Sequence, residues 1–212
     1  MKIQTKQIRY WDNFYKKFYT NRPSNFAKFF LKKIKKKTNI LEVGSGNGRD
    51  SYFFLNKGYK VCSIDRSKKA IDKCKKIKVG NFIHGNFCSS RVNYKTFFKK
   101  KIRFSYIYAR FFIHAINIKN ENIFFNNCKA LLKTNGRIYL EFRTTKDPLM
   151  KKGKKLSKYE RITDHYRRFI NVNELIDRIK KHKFKIQYIK KSNKFAVFKN
   201  DKPHICRLVI FK

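Results

Sequence analysis

The chain has 212 residues, 42% of them hydrophobic and 17% aromatic, which suits one domain with a full core and excludes a disordered chain. Its formal net charge of +42, from 55 basic and 13 acidic residues, would ordinarily indicate nucleic acid or an anionic surface. Lysine far outnumbers arginine, however, and the abundant Lys, Asn, Ile, Phe and Tyr all have AT-rich codons, so composition explains much of the excess and a selected anionic partner remains the rival account.

The elements follow in chain order. The opening segment is basic but has no continuous apolar stretch and no small-residue cleavage site, so it does not read as a secretory signal. Tyr10, Phe14, Tyr15 and Phe18 recur at helical spacing, and Pro23 ends that helix before a second one that Ser24 can cap. Residues 1–37 form an N-terminal helical cap in this reading. A regular alternation then begins. NILEV is a buried strand, RDSYFFLNKG a helix ending at Gly58, and YKVCSID a second strand. SKKAIDKCKKI is a helix opened by Ser67, NFIHG a third strand and FSYIYA a fourth. A helix from about Glu121 to Leu132 and a fifth strand, GRIYLEF, complete the run. Strands separated by helices imply right-handed crossovers and a parallel sheet. After a helix near 172–182, FKIQYIKK and HICRLVIFK read as an antiparallel hairpin joined by a connection containing KFAVF.

The expected fold is therefore α/β: a Rossmann-like, mostly parallel seven-stranded sheet with an antiparallel C-terminal hairpin and helices on both faces, all in a single domain. Residues 144–170 are long and charged, which marks them as a substrate lid. Lysine runs at 32–37, 99–101 and 151–155 read as solvated turns or helix ends. No apolar run approaches the roughly 20 residues of a membrane span. The five cysteines are far apart and odd in number, so reduced thiols in a cytoplasm are expected and no metal site is.

Three glycines, Gly44, Gly46 and Gly48, with Ser45 among them, follow the first strand and its acid Glu42. The spacing G-x-G-x-G differs from the G-x-G-x-x-G of dinucleotide-binding folds and from a phosphate loop. A bare backbone there lets a ligand approach closely. Asp65, beside Arg66 at the end of the second strand, lies about 20 residues beyond the loop, where a carboxylate accepts both ribose hydroxyls. Asn86 and Phe87 follow the third strand and suit an adenine edge and face. A ribose, an adenine and a zwitterionic tail, with no phosphate required, describe S-adenosylmethionine.

On E-V-G-S-G-N-G, Asp65 and the strand-four segment, the sequence resembles the class I S-adenosylmethionine-dependent methyltransferases over most of its length. YWDNFY, PSNFAKF, GSGNGRDS, YARFFIHAI, EFRTTKDPL and DHYRRFI are together similar to a bacterial subgroup of capsule, lipopolysaccharide and related small-molecule pathways, some of whose members act on phosphorylated acceptors. Asn86 stands where an acid is common in the family, and its amide oxygen can still accept from the adenine amino group. Trp11 and Tyr15 then cover the cofactor, or simply pack. Arg22 or Ser24, with Arg49 and Asp50, serve its methionine end.

Methyl transfer needs alignment of donor and acceptor and, for some acceptors, removal of a proton. The segment after strand four has no Asn/Asp-Pro-Pro-aromatic sequence, and no cysteine follows a proline, so base methylation of DNA is disfavoured. Arg110 is placed near the cofactor or acceptor. His114 is a candidate general base or a packed histidine. Arg143 with Arg167 or Arg168 is a candidate anion clamp, alongside His165 and Tyr166, unless these arginines pair with Asp147, Glu160 and Asp164. The expected activity is methyl transfer to a small, anionic or phosphorylated metabolite or saccharide precursor. An RNA methyltransferase and a non-catalytic binding module on the same fold are the alternatives.

Overall fold

In the computed structural model, residues 2–17, 20, 22–89, 96–97, 100–198 and 200–212 are described, those at 2–4 without their side chains. Phe18 and Lys99, both used in the sequence reading, lie outside the described residues. The chain opens with α1 (Lys2–Lys17) and α2 (Asn25–Leu31), then alternates β1 (Asn39–Val43), α3 (Arg49–Leu55), β2 (Lys60–Asp65), α4 (Lys68–Lys75) and β3 (Asn81–His84). It continues with β4 (Phe104–Arg110), α5 (Ile118–Leu131) and β5 (Leu132–Arg143). The caps explain several boundaries: Ser24, Ser67, Asn117 and Asn171 each accept an amide of the helix they open. Capped by the Asn117 side chain, α5 starts at Ile118, three residues before the expected Glu121.

The segment read as a long charged loop carries three short strands, β6 (Lys154–Lys155), β7 (Glu160–Ile162) and β8 (Tyr166–Arg168), in a separate antiparallel sheet. The chain ends with α6 (Val172–Lys181), β9 (Lys185–Ser192) and β10 (Ile205–Phe211). The main sheet has seven strands in the order β3-β2-β1-β4-β5-β10-β9. The first five are parallel, and β10 pairs antiparallel with both β5 and β9.

The period-2 alternation of each strand builds two cores. Ile40, Tyr106, Tyr108, Tyr139 and Val209 face one way and bury Phe26, Phe30 and Phe54 from α2 and α3. Leu41, Ile107, Ile138, Leu140 and Leu208 face the other way and bury Phe124, Phe125, Leu175 and Ile179 from α5 and α6. Phe30 stacks edge-on against Tyr139 at 4.8 Å and Phe54 at 5.1 Å, so truncating it to alanine would cost about 3–5 kcal/mol. Both faces are thus covered, and the ends of β1, β2 and β4 converge on one edge of the sheet where the loops gather. Among the described residues, no helix is long and apolar enough to cross a membrane.

Candidate functional site

A cavity of about 690 Å³ opens at that edge, between the β1–α3 loop, the end of β4, helix α1 and the β9–β10 connection. Its floor is the glycine bend. Gly44, Gly46 and Gly48 all have positive φ, at 77°, 54° and 77°, which a side chain would strain. A Cβ on Gly46 would meet the phenol of Tyr15, and one on Gly48 would lie 2.9 Å from Cys74 Sγ. Bareness here therefore serves two ends: the left-handed turn, and close approach of α1 on one side and α4 on the other.

The Asp65 carboxylate braces this bend. Its Oδ2 accepts from Gly46 N at 2.8 Å and its Oδ1 from Ser67 N at 2.8 Å. Burial raises its pKa, and those two amides work against the rise by favouring the ionised form. A carboxylate oxygen has lone pairs beyond one amide bond, so Asp65 can still receive hydroxyls from the cavity. Glu42, also on the wall, is pushed well above the usual carboxylate range by burial and by the neighbouring Asp50, while Ser51 donates to it. Asp50 is gripped from behind: Ser24 N at 2.7 Å, Ser24 Oγ at 2.6 Å and Tyr108 Oη at 2.7 Å all donate to it. Ser24, a candidate for a ligand carboxylate, lines the cavity and also caps α2 and holds Asp50.

The remaining expected cofactor residues divide. Trp11, Tyr15, Ser45, Arg49, Arg66, Phe87 and Arg110 line the cavity with Glu42, Gly44, Asp50 and Asp65. Two buried polar atoms on the wall, Ser45 Oγ and Arg49 Nε, have no hydrogen-bond partner among the described residues. Arg22 is exposed and its amide bonds Thr20, so the structure does not bring it to the wall. Asn86 turns its Oδ1 to the amide of Cys88 at 3.1 Å and is likewise away from the wall.

The expected acceptor residues sit around, not on, the cavity. Arg143 donates to Asp147 at 3.0 Å and is paired with Asp201; Arg168 is paired with Glu121 and donates to the carbonyls of Ile116 and Ile113 at 3.0 and 3.1 Å. Arg167 is paired with Asp164. The ion-pair alternative to an anion clamp is thus the arrangement seen, with Glu121 as a partner the sequence did not suggest. A guanidinium buried beside carboxylates must be matched, since an unpaired buried charge is costly.

His114 is buried; its Nδ1 accepts from Arg143 N at 3.2 Å, which places the ring proton on Nε2. Burial and the surrounding Arg143, Arg167 and His165 hold it well below the usual histidine range. His165 is buried against Tyr10 at 4.3 Å and Trp11 at 4.8 Å, and Tyr166 bonds Glu160. These contacts tie β8 and its neighbours to α1, which also bonds α4 through Asp12 to Ser67 and Lys73 to the Tyr15 carbonyl.

Several wall residues had no sequence signal. Phe111 follows β4 with φ of 56°, a strained conformation for a bulky residue that costs of order 1–3 kcal/mol and clusters at functional sites. Its amide bonds the Glu141 carbonyl at 2.8 Å, and the Arg110 guanidinium lies 4.3 Å from its ring. Glu141 binds Arg110 at 2.9 Å on one oxygen and Arg207 at 2.8 Å on the other. Burial, the largest single influence, would lower the Arg110 pKa; Glu141, Tyr108 and Asp50 together outweigh it and raise it. Ala196, Val197, Phe198 and Asp201 reach the wall from the β9–β10 connection.

Residues 15–189 match the methyltransferase domain family. The chain belongs to that family. This methyltransferase finds no match among curated protein sequences. Its fold is similar to that of an S-adenosylmethionine-dependent methyltransferase from Methanosarcina mazei, at 16% identity and a TM-score of 0.71, covering 87% of this chain and 96% of that one. It is also similar to the glycopeptide N-methyltransferase MtfA complexed with S-adenosylmethionine, at 13% identity, TM-score 0.67 and coverages of 92% and 95%. A third is the CcbJ methyltransferase from Streptomyces caelestis, at 12% identity, TM-score 0.70 and coverages of 95% and 97%. S-adenosylmethionine is the cofactor of this methyltransferase, and the cavity wall fits it: a side-chain-free bend, a braced carboxylate and a buried Ser45 hydroxyl with no hydrogen-bond partner among the described residues.

Proposed function

We propose that this methyltransferase acts on a small molecule that enters the cavity between α1 and the β9–β10 connection and meets the cofactor above the glycine bend. Bound S-adenosylmethionine supplies an electrophilic methyl group on a sulfonium. The chain's own residues do the rest. Asp65 holds the ribose, Phe87 packs on the adenine, and Arg49, whose Nε lies 3.6 Å from Asp50 Oδ1, receives the methionine carboxylate on its guanidinium. Tyr15 and Trp11 close the site against water from the α1 side, which strengthens every electrostatic contact within it.

Burial holds the Tyr15 phenol above its ordinary value, and Asp65 adds to this, so it stays a donor and takes no proton. His114 is kept neutral, but its Nδ1 is occupied by a backbone amide. The wall therefore favours an acceptor atom that is nucleophilic without a protein base. The narrower capsule and lipopolysaccharide resemblance favours a phosphorylated acceptor, whereas the pairing of Arg143, Arg167 and Arg168 with carboxylates weighs against one. The name of the similar glycopeptide N-methyltransferase is in keeping with a small-molecule acceptor. RNA as acceptor has only the charge in its favour. A cytoplasmic location is supported by five free, buried cysteines.

The observation that carries the cofactor assignment is the Asp65 carboxylate bonded to the Gly46 amide. Titration calorimetry with S-adenosylhomocysteine tests it. Asp65→Ala should weaken binding at least tenfold, roughly the worth of one charged hydrogen-bond pair, and undiminished affinity would overturn the ribose assignment.

A further inference from the structure

One side of the cavity is not explained by the cofactor. Between β9 and β10 the chain arches over the mouth. Ala196 takes φ of 51°, and Phe198 and Asp201 exchange backbone hydrogen bonds of 3.0 and 2.9 Å, which makes a tight crown. Both feet of the arch are fixed. Asp201 is paired with Arg143, His204 N donates to Asp147 at 3.0 Å, and Thr144 N donates to the His204 carbonyl at 3.0 Å. The ring of Phe195 lies 4.0 Å from the Arg207 guanidinium. These contacts hold an apolar crown at the opening: Val197 is 48% exposed and Phe198 58%, and both line the same cavity as Asp65.

Phe111 is on the same wall, held in its left-handed conformation with Arg110 at 4.3 Å and Arg143 at 5.9 Å from its ring. Ile8 and Phe14 of α1 contribute further apolar wall. The guanidiniums nearest this mouth have carboxylate partners, Arg110 in Glu141 and Arg143 in Asp147 and Asp201. Phe111, Val197 and Phe198 thus offer a ligand aromatic and aliphatic surface at the mouth, beside Asp201 and continuous with the cavity that Asp65 lines. An exposed large apolar patch at a cavity mouth is a recognition surface more often than an accident of composition.

We propose that Phe111, Val197 and Phe198 form the acceptor subsite, and that they select an acceptor carrying an aromatic ring or branched alkyl group beside the methyl-accepting atom. The inference rests on the cofactor lying against Asp65 and the glycine bend. It makes the β9–β10 arch the specificity element and Phe198 its principal contact.

The test uses the full chain saturated with S-adenosylhomocysteine and a neutral planar probe, N-phenyl-1-naphthylamine, followed by fluorescence. Saturable one-to-one binding is expected. Phe198→Asp should weaken it at least tenfold and Phe198→Leu less than threefold, with the affinity for S-adenosylhomocysteine within twofold of wild type in both. Because Phe198 is exposed, both variants should fold, which their unchanged cofactor affinity reports. Competition by inorganic phosphate or glucose 6-phosphate at millimolar concentration should leave the probe bound. Absence of saturable probe binding, displacement by phosphate, or indifference to Phe198→Asp overturns the subsite. Failure of S-adenosylhomocysteine to bind the wild-type chain would instead remove the cofactor reading, so the two failures are distinguishable.

Discussion

Replacing Gly46 with alanine would set a methyl group 2.5 Å from Cζ and 2.7 Å from Cε1 of Tyr15. Ordinary carbon contacts need about 3.5 Å, so the ring must retreat by roughly 1 Å. Tyr15 is not free to do so. It packs against Trp11 and Phe14 at centroid distances of 5.8 and 5.2 Å, and Lys73 ties the helix end by bonds of 2.6 and 2.9 Å to the carbonyls of Tyr15 and Lys16. Overpacking of this kind costs about 1–3 kcal/mol, and alanine at φ of 54° adds about 1–2 kcal/mol. Gly46→Ala should therefore destabilise the fold by about 2–5 kcal/mol and loosen α1 from the cavity. In a Tyr15→Ala background the clash disappears and only the backbone share, about 1–2 kcal/mol, should remain. A double-mutant cycle by urea denaturation, with S-adenosylhomocysteine calorimetry on each variant, should give a coupling of about 1–3 kcal/mol. Additive losses would refute the contact between Tyr15 and the bend, and with it the role of α1 as a cap on the cofactor.

Three further outcomes follow from the site. Arg49→Met should weaken S-adenosylhomocysteine at least tenfold by calorimetry yet leave 5′-methylthioadenosine, which lacks the carboxylate, within twofold; equal losses would contradict the assignment of that carboxylate to its guanidinium. Glu121→Ala leaves Arg168 without its carboxylate and takes the 2.6 Å partner of Arg178 as well, so chemical denaturation should show a loss of about 3–5 kcal/mol, and a loss under 1 kcal/mol would mean the pair is not buried in solution. Burial and neighbouring cations depress the folded pKa of His114, so its contribution is complete above the unfolded value of about 6.5 and is lost as pH falls below it. His114→Asn, which keeps an acceptor for the Arg143 amide, should flatten the fall in Tm between pH 7.5 and 5.5; parallel profiles for the two proteins would show that His114 is not held neutral.

The order of elements was legible from the sequence because each depends on local signals. Ser24 and Ser67 start helices wherever they precede an apolar helical stripe, and the alternating faces of NILEV and FSYIYA need only the pleat of a strand. The bend after β1 was equally readable, since Gly44, Gly46 and Gly48 all take the positive φ that glycine tolerates best. Boundaries that depend on pairing were not. β5 begins at Leu132, earlier than the apolar run suggests, because Phe104 of β4 pairs with Leu132 ahead of a register shift, whereas β10 joins only from Arg137 onward. The strands β6 to β8 arise from a charged stretch with little apolar periodicity.

The side chains in and around the cavity divided along the same line. Asp65, Glu42, Arg49 and Arg110 reached the cavity because each lies at a strand end or in the loop that follows one, positions fixed by topology alone. Arg143 and Arg168 also lie at strand ends, yet they turn to Asp147, Asp201 and Glu121, the last 47 residues from Arg168 along the chain. No local pattern can announce such partners, since a buried charge takes whichever carboxylate the packed fold brings within reach. Phe111 and Phe198 are two more aromatic residues in a chain rich in them, and their place at one mouth exists only once β4 and the β9–β10 arch are brought to the same edge of the sheet. Sequence determined the scaffold and the glycine bend through short-range backbone preferences; tertiary packing decided which cations stay paired and which rings meet at the cavity mouth.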